Sequence, residues 1–398
     1  MESARSAKHW VTTFNLYSAP GGEAPTLNGV TAAFDMTRDQ LAEALGDEPA
    51  YRTDQVWRQL WERGTWPEAM TDLPRQLREQ LAKVITPALR EVARSESRDK
   101  TVKWLWELPD GARIETVLMI YPGRATVCVS SQAGCAMACS FCATGQSGFT
   151  RHLTTGEIVE QVVAARAAAA PRRLGNVVFM GMGEPLANYD RTWGAVERIH
   201  DHLGISARHI TVSTVGVVAG IRRLAQEDLP VNLAVSLHAA RDELRNRIVP
   251  LNRRYPLSVL MGACSEYAAA KNRRLSFEWA LIDGVNDTAQ DAAELAELAL
   301  PLGAHVNVIP LNPTPGYLGR GTPPDGVRAF CGYLMAHGVN ATVRANRGTD
   351  IDAACGQLAA NAGGRRPRTD AGLAIPAAAR EALGEPVSRP GRKGATLK

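Results

Sequence analysis

Seven β-rich runs recur along this chain, each separated from the next by a stretch of helical character: ATVCVSS, NVVFMG, HITVSTVG, VNLAVSLHA, LSFEWALI, HVNVIPLNP and ATVRANRG. The intervening segments carry helix signals of their own, as in TTGEIVEQVVAARAAAA, where Thr154 and Glu157 have capping-box spacing. Strands that alternate with helices must pair in parallel through right-handed crossovers, which leaves an open doubly wound sheet or a barrel. Six such units are fewer than the eight of a closed barrel, so the expected α/β fold is a partial (β/α)6 barrel. In either architecture ligands bind at the carboxyl ends of the strands.

The polar motifs obey that rule. A cysteine cluster follows ATVCVSS, GMGEP follows NVVFM, STVG follows HITV, SLH follows VNLAV, and NP follows HVNVIPL. All five are expected at one mouth. Upstream, KWLWEL and RIETVLMIY flank Pro-Asp-Gly-Ala and predict a β-hairpin over 101–121. From Thr37 to about Arg94 the pattern reads as helices, in LAEALG, YRTDQVWRQLWERG and LPRQLREQLAKVI. This gives three expected regions: a small helical N-terminal accessory domain over 1–98 that binds RNA, the catalytic barrel with its hairpin over 99–360, and a tail over 361–398. Trp57 and Trp61, an i,i+4 pair beside Arg52 and Arg58, have two readings: a surface stacking on bases, or the packing of a small helical core.

Cys135, Cys139 and Cys142 form C-x3-C-x2-C on a loop, a spacing that brings three thiolates to one centre. Thiolates select zinc or iron–sulfur. A structural zinc site normally uses paired hooks and four ligands, and the fourth candidates nearby are Cys128 and His152. Cys128 itself sits seven residues before Cys135 in an apolar strand, where it could be a small core residue like Cys264 and Cys331.

The loop resembles that of the radical S-adenosylmethionine (SAM) superfamily, in which three cysteines hold a 4Fe-4S cluster whose open iron chelates SAM. The resemblance implies that Gly183 and Glu184 of GMGEP, Ser213, then Ser236, Leu237 and His238 of SLH, and Asn312 contact SAM. Taken with RIVPLNRRYPL, WALIDGVND, VNVIPLNPTP and DIDAACGQL, the chain is similar to RlmN, the adenine-C2 methyltransferase family of 23S ribosomal RNA and transfer RNA, from about Thr37 to Ala360. That resemblance implies two SAM per turnover and a flavodoxin- or ferredoxin-type reductant. It further implies that Cys355 is methylated and then joined to RNA, that Cys128 releases the product by forming a disulfide with it, and that Glu115 is the base. Glu115 could instead pair with Arg113. The sibling activity at adenine carbon-8, Cfr-like, shares these groups. A non-catalytic iron–sulfur or zinc RNA-binding protein would have no use for GMGEP or for two such cysteines.

Charge and composition agree with this. Residues 361–398 hold eight basic and three acidic side chains, leaving the rest of the chain at −1, so the tail reads as a mobile polyanion-binding arm or as a solvated extension. No apolar run reaches 18 residues and MESARSAKHW lacks a signal sequence's apolar run, so no membrane partner and a cytoplasmic address are expected. In a reducing compartment, seven cysteines read as ligands, nucleophiles or core rather than as permanent disulfides.

Overall fold

A computed structural model describes residues 31–314, 316–344, 348 and 351. Cys355 and the 361–398 tail lie outside the described residues.

The described residues begin with β1 (Thr31–Ala32) and three helices, α1 (Arg38–Leu45), α2 (Tyr51–Arg58) and α3 (Arg75–Val84). Next come β2 (Ile85–Thr86), β3 (Arg90–Glu96), β4 (Val102–Glu107), β5 (Arg113–Tyr121) and β6 (Arg124–Cys128). The expected helical run to Arg94 therefore stops at Val84. Arg90, Glu91 and Ala93 are weak strand formers, but pairing with β4 overrides that preference. Arg94 also lays its guanidinium over the Trp104 ring at 5.5 Å. The hairpin is present as β4 and β5, with Gly111 at φ +81° in its turn.

After β6 the chain forms a small ribbon of β7 (Gln132–Gly134) and β8 (Phe149–His152), with α4 (Ala143–Ser147) between them. The βα repeat then runs α5 (Thr155–Ala169), β9 (Leu174–Phe179), α6 (Tyr189–Asp201), β10 (Ile210–Thr214), α7 (Val218–Leu224), β11 (Asn232–Ser236) and α8 (Asp242–Ile248). It continues with α9 (Leu257–Lys271), β12 (Leu275–Leu281), α10 (Ala289–Ala299), β13 (His305–Pro310), α11 (Pro324–Ala336) and β14 (Ala341–Val343). One sheet takes the order β14-β13-β12-β11-β10-β9-β6-β5-β4-β3, parallel from β14 to β6 and antiparallel from β6 to β3. The hairpin is thus part of the main sheet. That sheet curls without closing: Arg344, just past β14, reaches Met180, just past β9.

The capping box forms as read, with the Glu157 N–H donating to Thr154 Oγ1 at 3.1 Å and the Thr154 N–H to a Glu157 oxygen at 2.9 Å. The N-terminal helices dock on the same region. Asp35 accepts from Thr154 Oγ1 and from the Gly156 N–H, each at 2.6 Å, and a side chain at position 156 would collide with it. Trp61 is 1% exposed and packs against Phe34, Trp57 and His202, so of its two readings the core one holds. Cys264 on α9 and Cys331 on α11 are buried, as small apolar residues would be.

Candidate active site

β6 ends at Cys128, and Val129 to Gln132 then lie against the start of GMGEP. The Gly181 N–H donates to the Val129 carbonyl at 3.0 Å, the Met182 N–H to Ser130 Oγ at 2.9 Å, and the Ser131 N–H to the Met182 carbonyl at 2.8 Å. Gly183 is required by this approach: it sits at φ +104°, and a Cβ there would come within 2.6 Å of Gln132.

The cysteine loop is fixed at several points. The Cys135 N–H donates to the Gly148 carbonyl at 2.8 Å, the Cys142 N–H to the Cys139 carbonyl at 3.2 Å, and the Ser140 N–H to the Ile248 carbonyl on α8 at 3.1 Å. Burial and the neighbouring thiols push the Cys135 and Cys139 thiols up. Such buried sulfurs become thiolates when a metal replaces the proton. Among the described residues no three His, Cys, Asp or Glu side chains close around a single metal ion. Three cysteines on one loop suit a cubane, which would offer each thiolate a separate iron, whereas a structural zinc site takes four ligands. Ser140 Oγ, which lies in sequence between Cys139 and Cys142, and Ser131 Oγ are buried with no hydrogen-bond partner. The donor set fits an iron–sulfur cluster.

The expected SAM contacts gather around this loop. Glu184 is buried, and its carboxylate accepts the Leu186 N–H at 3.1 Å and the Val215 N–H at 2.8 Å. It therefore fastens GMGEP to the turn after β10, and burial raises its pKa to about 7. Ser213 lies near the end of β10, Ser236 ends β11, and Leu237 and His238 follow directly. His238 takes φ +61°, accepts the Ala280 N–H on Nδ1 at 3.0 Å, and meets the Phe141 ring edge-on at 4.8 Å. Burial lowers its pKa to about 3, so the ring is neutral and its proton is on Nε2. Asn312 follows β13 and is partly exposed.

Inside the sheet, register sets Lys103, Val117, Cys128 and Val178 in one row across β4, β5, β6 and β9. Glu115 projects from the same face as Val117. Its partner is not Arg113, which bonds Glu107, but Lys103, at 2.9 Å with the two side chains 0% and 1% exposed. Cys128 is partly exposed. Burial pushes its thiol up to about 11, opposed by Arg344 and by a backbone hydrogen bond from Met180. Arg344 in turn donates to Glu278 at 3.3 Å, and Asn307 bonds the other oxygen of Glu278 at 2.8 Å. No disulfide occurs among the described residues, whose cysteines are all free; the expected Cys128–Cys355 disulfide involves a residue outside them.

Lys103, Arg344, Glu278 and Arg245 were not singled out in the sequence. A lysine inside the apolar run KWLWEL was the visible signal for Lys103. Arg245 in DELRNRI looks like any solvated helix residue.

Comparison with known proteins agrees with this geometry. Residues 129–299 match the Radical SAM superfamily, the class that the curled sheet and cysteine loop define. A crystal structure of a radical SAM methyltransferase from Sphaerobacter thermophilus superposes with TM-score 0.78 at 49% identity, covering 82% of this chain and 98% of that one. The probable dual-specificity RNA methyltransferase RlmN of Frankia casuarinae is 53% identical over 355 residues, 84% of each chain. The dual-specificity RNA methyltransferase RlmN 1 of Myxococcus xanthus is 50% identical, covering 84% of this chain and 96% of its own. The chain belongs to the RlmN family. It is a radical-SAM RNA methyltransferase, with the 4Fe-4S cluster and SAM that its family implies and RNA as its substrate. No helix among the described residues is long and apolar enough to cross a membrane.

Proposed function

We propose that this enzyme methylates carbon-2 of adenine in 23S ribosomal RNA near the peptidyl-transferase centre, and in transfer RNAs, using two SAM per turnover and electrons from a flavodoxin- or ferredoxin-type reductant. Cys135, Cys139 and Cys142 hold the cluster. Gly183, Glu184, Ser213, Ser236, Leu237, His238 and Asn312 form the SAM site, in which Glu184 acts chiefly by joining two loops and the neutral His238 offers an Nε2 proton.

Carbon-2 of adenine is not nucleophilic, so displacement on SAM cannot methylate it directly. Bound together, cluster and SAM supply a 5′-deoxyadenosyl radical. Cys355 first takes a methyl group from one SAM by displacement at its sulfur. That S-methyl group, once it loses a hydrogen atom, bonds carbon-2 and ties the enzyme to RNA. Glu115 accepts the carbon-2 proton, and the unpaired electron that the addition leaves on the adenine ring would pass to the iron–sulfur centre, so that a closed-shell adduct results. The Cys128 thiolate then attacks the Cys355 sulfur: an S–S bond forms, the C–S bond breaks, and its electron pair passes to the product carbon, which is protonated. External thiols reduce the disulfide.

The observation that carries this reading is that Cys128 shares a cross-strand row with Lys103, whose ion-pair partner Glu115 projects from the same face of the sheet. The test is Cys128→Ala, reconstituted anaerobically and supplied with unmodified ribosomal and transfer RNA. RNA bound through denaturation and released by nuclease is expected, and should be absent from Cys355→Ala. Fully active, RNA-free Cys128→Ala would overturn the reading. Mass and chemical degradation of the wild-type product distinguish 2-methyladenosine from the carbon-8 isomer.

A further inference from the structure

Arg245, on α8, is 1% exposed. Its guanidinium donates to the carbonyls of Val215 at 2.7 Å, Leu237 at 2.9 Å and Ser236 at 3.2 Å, and to the side-chain oxygen of Asn252 at 2.9 Å. All four acceptors are neutral. Among the described residues no carboxylate lies within 4.0 Å of it. Asp242, the nearest acidic influence, directs Oδ1 to Asn252 and to the Leu257 N–H instead. A buried cation without an anion is unfavourable, and its carbonyl partners satisfy its hydrogen bonds without cancelling its charge.

The missing anion has an address. α8 is tied to the cysteine loop through the Ser140 N–H and the Ile248 carbonyl, between Cys139 and Cys142. Arg245 is also the cation that acts on Cys139, the most buried of the three thiols at 6% exposed. Three thiolates outweigh the positive charge of an oxidised cubane, and the electron that reduces it adds one more negative charge.

We infer that Arg245 is the built-in counter-charge of the iron–sulfur centre, a positioning residue that favours the reduced state while its bonds to Val215, Ser236 and Leu237 hold the loops of the SAM site at a fixed distance from it. This rests on the reading that Cys135, Cys139 and Cys142 hold the cluster.

The experiment is a mediated redox titration of reconstituted Arg245→Gln and Arg245→Lys, followed by absorbance and electron paramagnetic resonance. Thermal unfolding is recorded with and without the cluster. In Arg245→Gln the reduced-to-oxidised ratio at the wild-type midpoint should fall at least about tenfold, a shift of about 59 mV to lower potential for a one-electron couple. Arg245→Lys should keep the wild-type midpoint. Arg245→Gln should lower the unfolding temperature more with the cluster than without it. A fully loaded Arg245→Gln with an unchanged midpoint overturns the inference, as does an equal loss of stability with and without the cluster, which would make Arg245 only a loop clamp. If Arg245→Gln does not fold, Arg245→Lys decides: a wild-type midpoint supports the inference and a tenfold shift overturns it. Cys139→Ala, assayed for iron alongside, tests the underlying reading separately, since full iron retention there would sink the cysteine assignment whatever Arg245 does.

Discussion

Lys103 and Arg245 are both cations removed from water, and the protein treats them in opposite ways. Lys103, on β4, has its own carboxylate, Glu115, at 2.9 Å. Arg245, on α8, has only neutral oxygens around it. The first site is complete within the chain, whereas the second becomes balanced on our reading when a guest brings the negative charge. Glu160 is the mirror image of Arg245, a buried carboxylate whose partners are the backbone N–H groups of Ala88 and Leu89. On our reading the charge paired within the fold goes with chemistry done by side chains, and the groups left with neutral partners go with a cofactor pocket or a structural joint.

The comparison breaks most visibly at Glu115. Glu115→Gln should lower turnover by about 10²- to 10⁴-fold, the usual worth of a general base, while RNA still binds. Single-turnover kinetics on matched RNA would detect it, and near-normal turnover would reduce the pair to architecture. Lys103→Met removes the cation 2.9 Å from the buried Glu115 carboxylate, so denaturant unfolding should show a loss of about 3–5 kcal/mol. Adding Glu115→Gln should recover much of that loss.

Glu160 sharpens the comparison through pH. Burial raises its pKa from an ordinary 4.5 to about 8, so its contribution is complete below pH 4.5 and is lost as pH rises to about 8. Glu160→Gln should therefore remove on the order of 5 kcal/mol of declining stability across that window without altering turnover. A pH–stability curve identical to wild type would show the carboxylate to be relieved in another way. The smallest effect concerns the basic charges of the tail. Deleting residues 365–398 should weaken RNA binding and flatten its salt dependence, with the methylated base unchanged; an altered target base would give the tail a part in recognition.

The βα repeat was legible because burial on both faces leaves near-continuous apolar runs, and because each run stops at a polar motif. The capping box at Thr154 and the hairpin turn at Gly111 are local chemistry and were legible for that reason. β3 was not, since REVARSE becomes a strand only through its pairing with β4. The cysteine loop and GMGEP could be read as motifs, but the double role of Glu184 could not, because Leu186 and Val215 meet its two oxygens only after β9 and β10 are side by side. Arg245 and Arg344 depend on contacts between segments far apart in the chain, which carry no local pattern.

β6 has two unlike neighbours, β5 from the adjacent hairpin and β9 from beyond a crossover. Pairings from β3 to β6 close short loops and cost little chain entropy, whereas each parallel pairing from β6 onward must wait for a helix-length excursion. The antiparallel block is therefore the natural early template in folding, and β6 the edge on which the parallel strands are laid in turn. Cys128 lies at the end of that seam. Its cross-strand neighbour Val178 arrives only with β9, so the surroundings of this thiol are completed after the antiparallel block has formed.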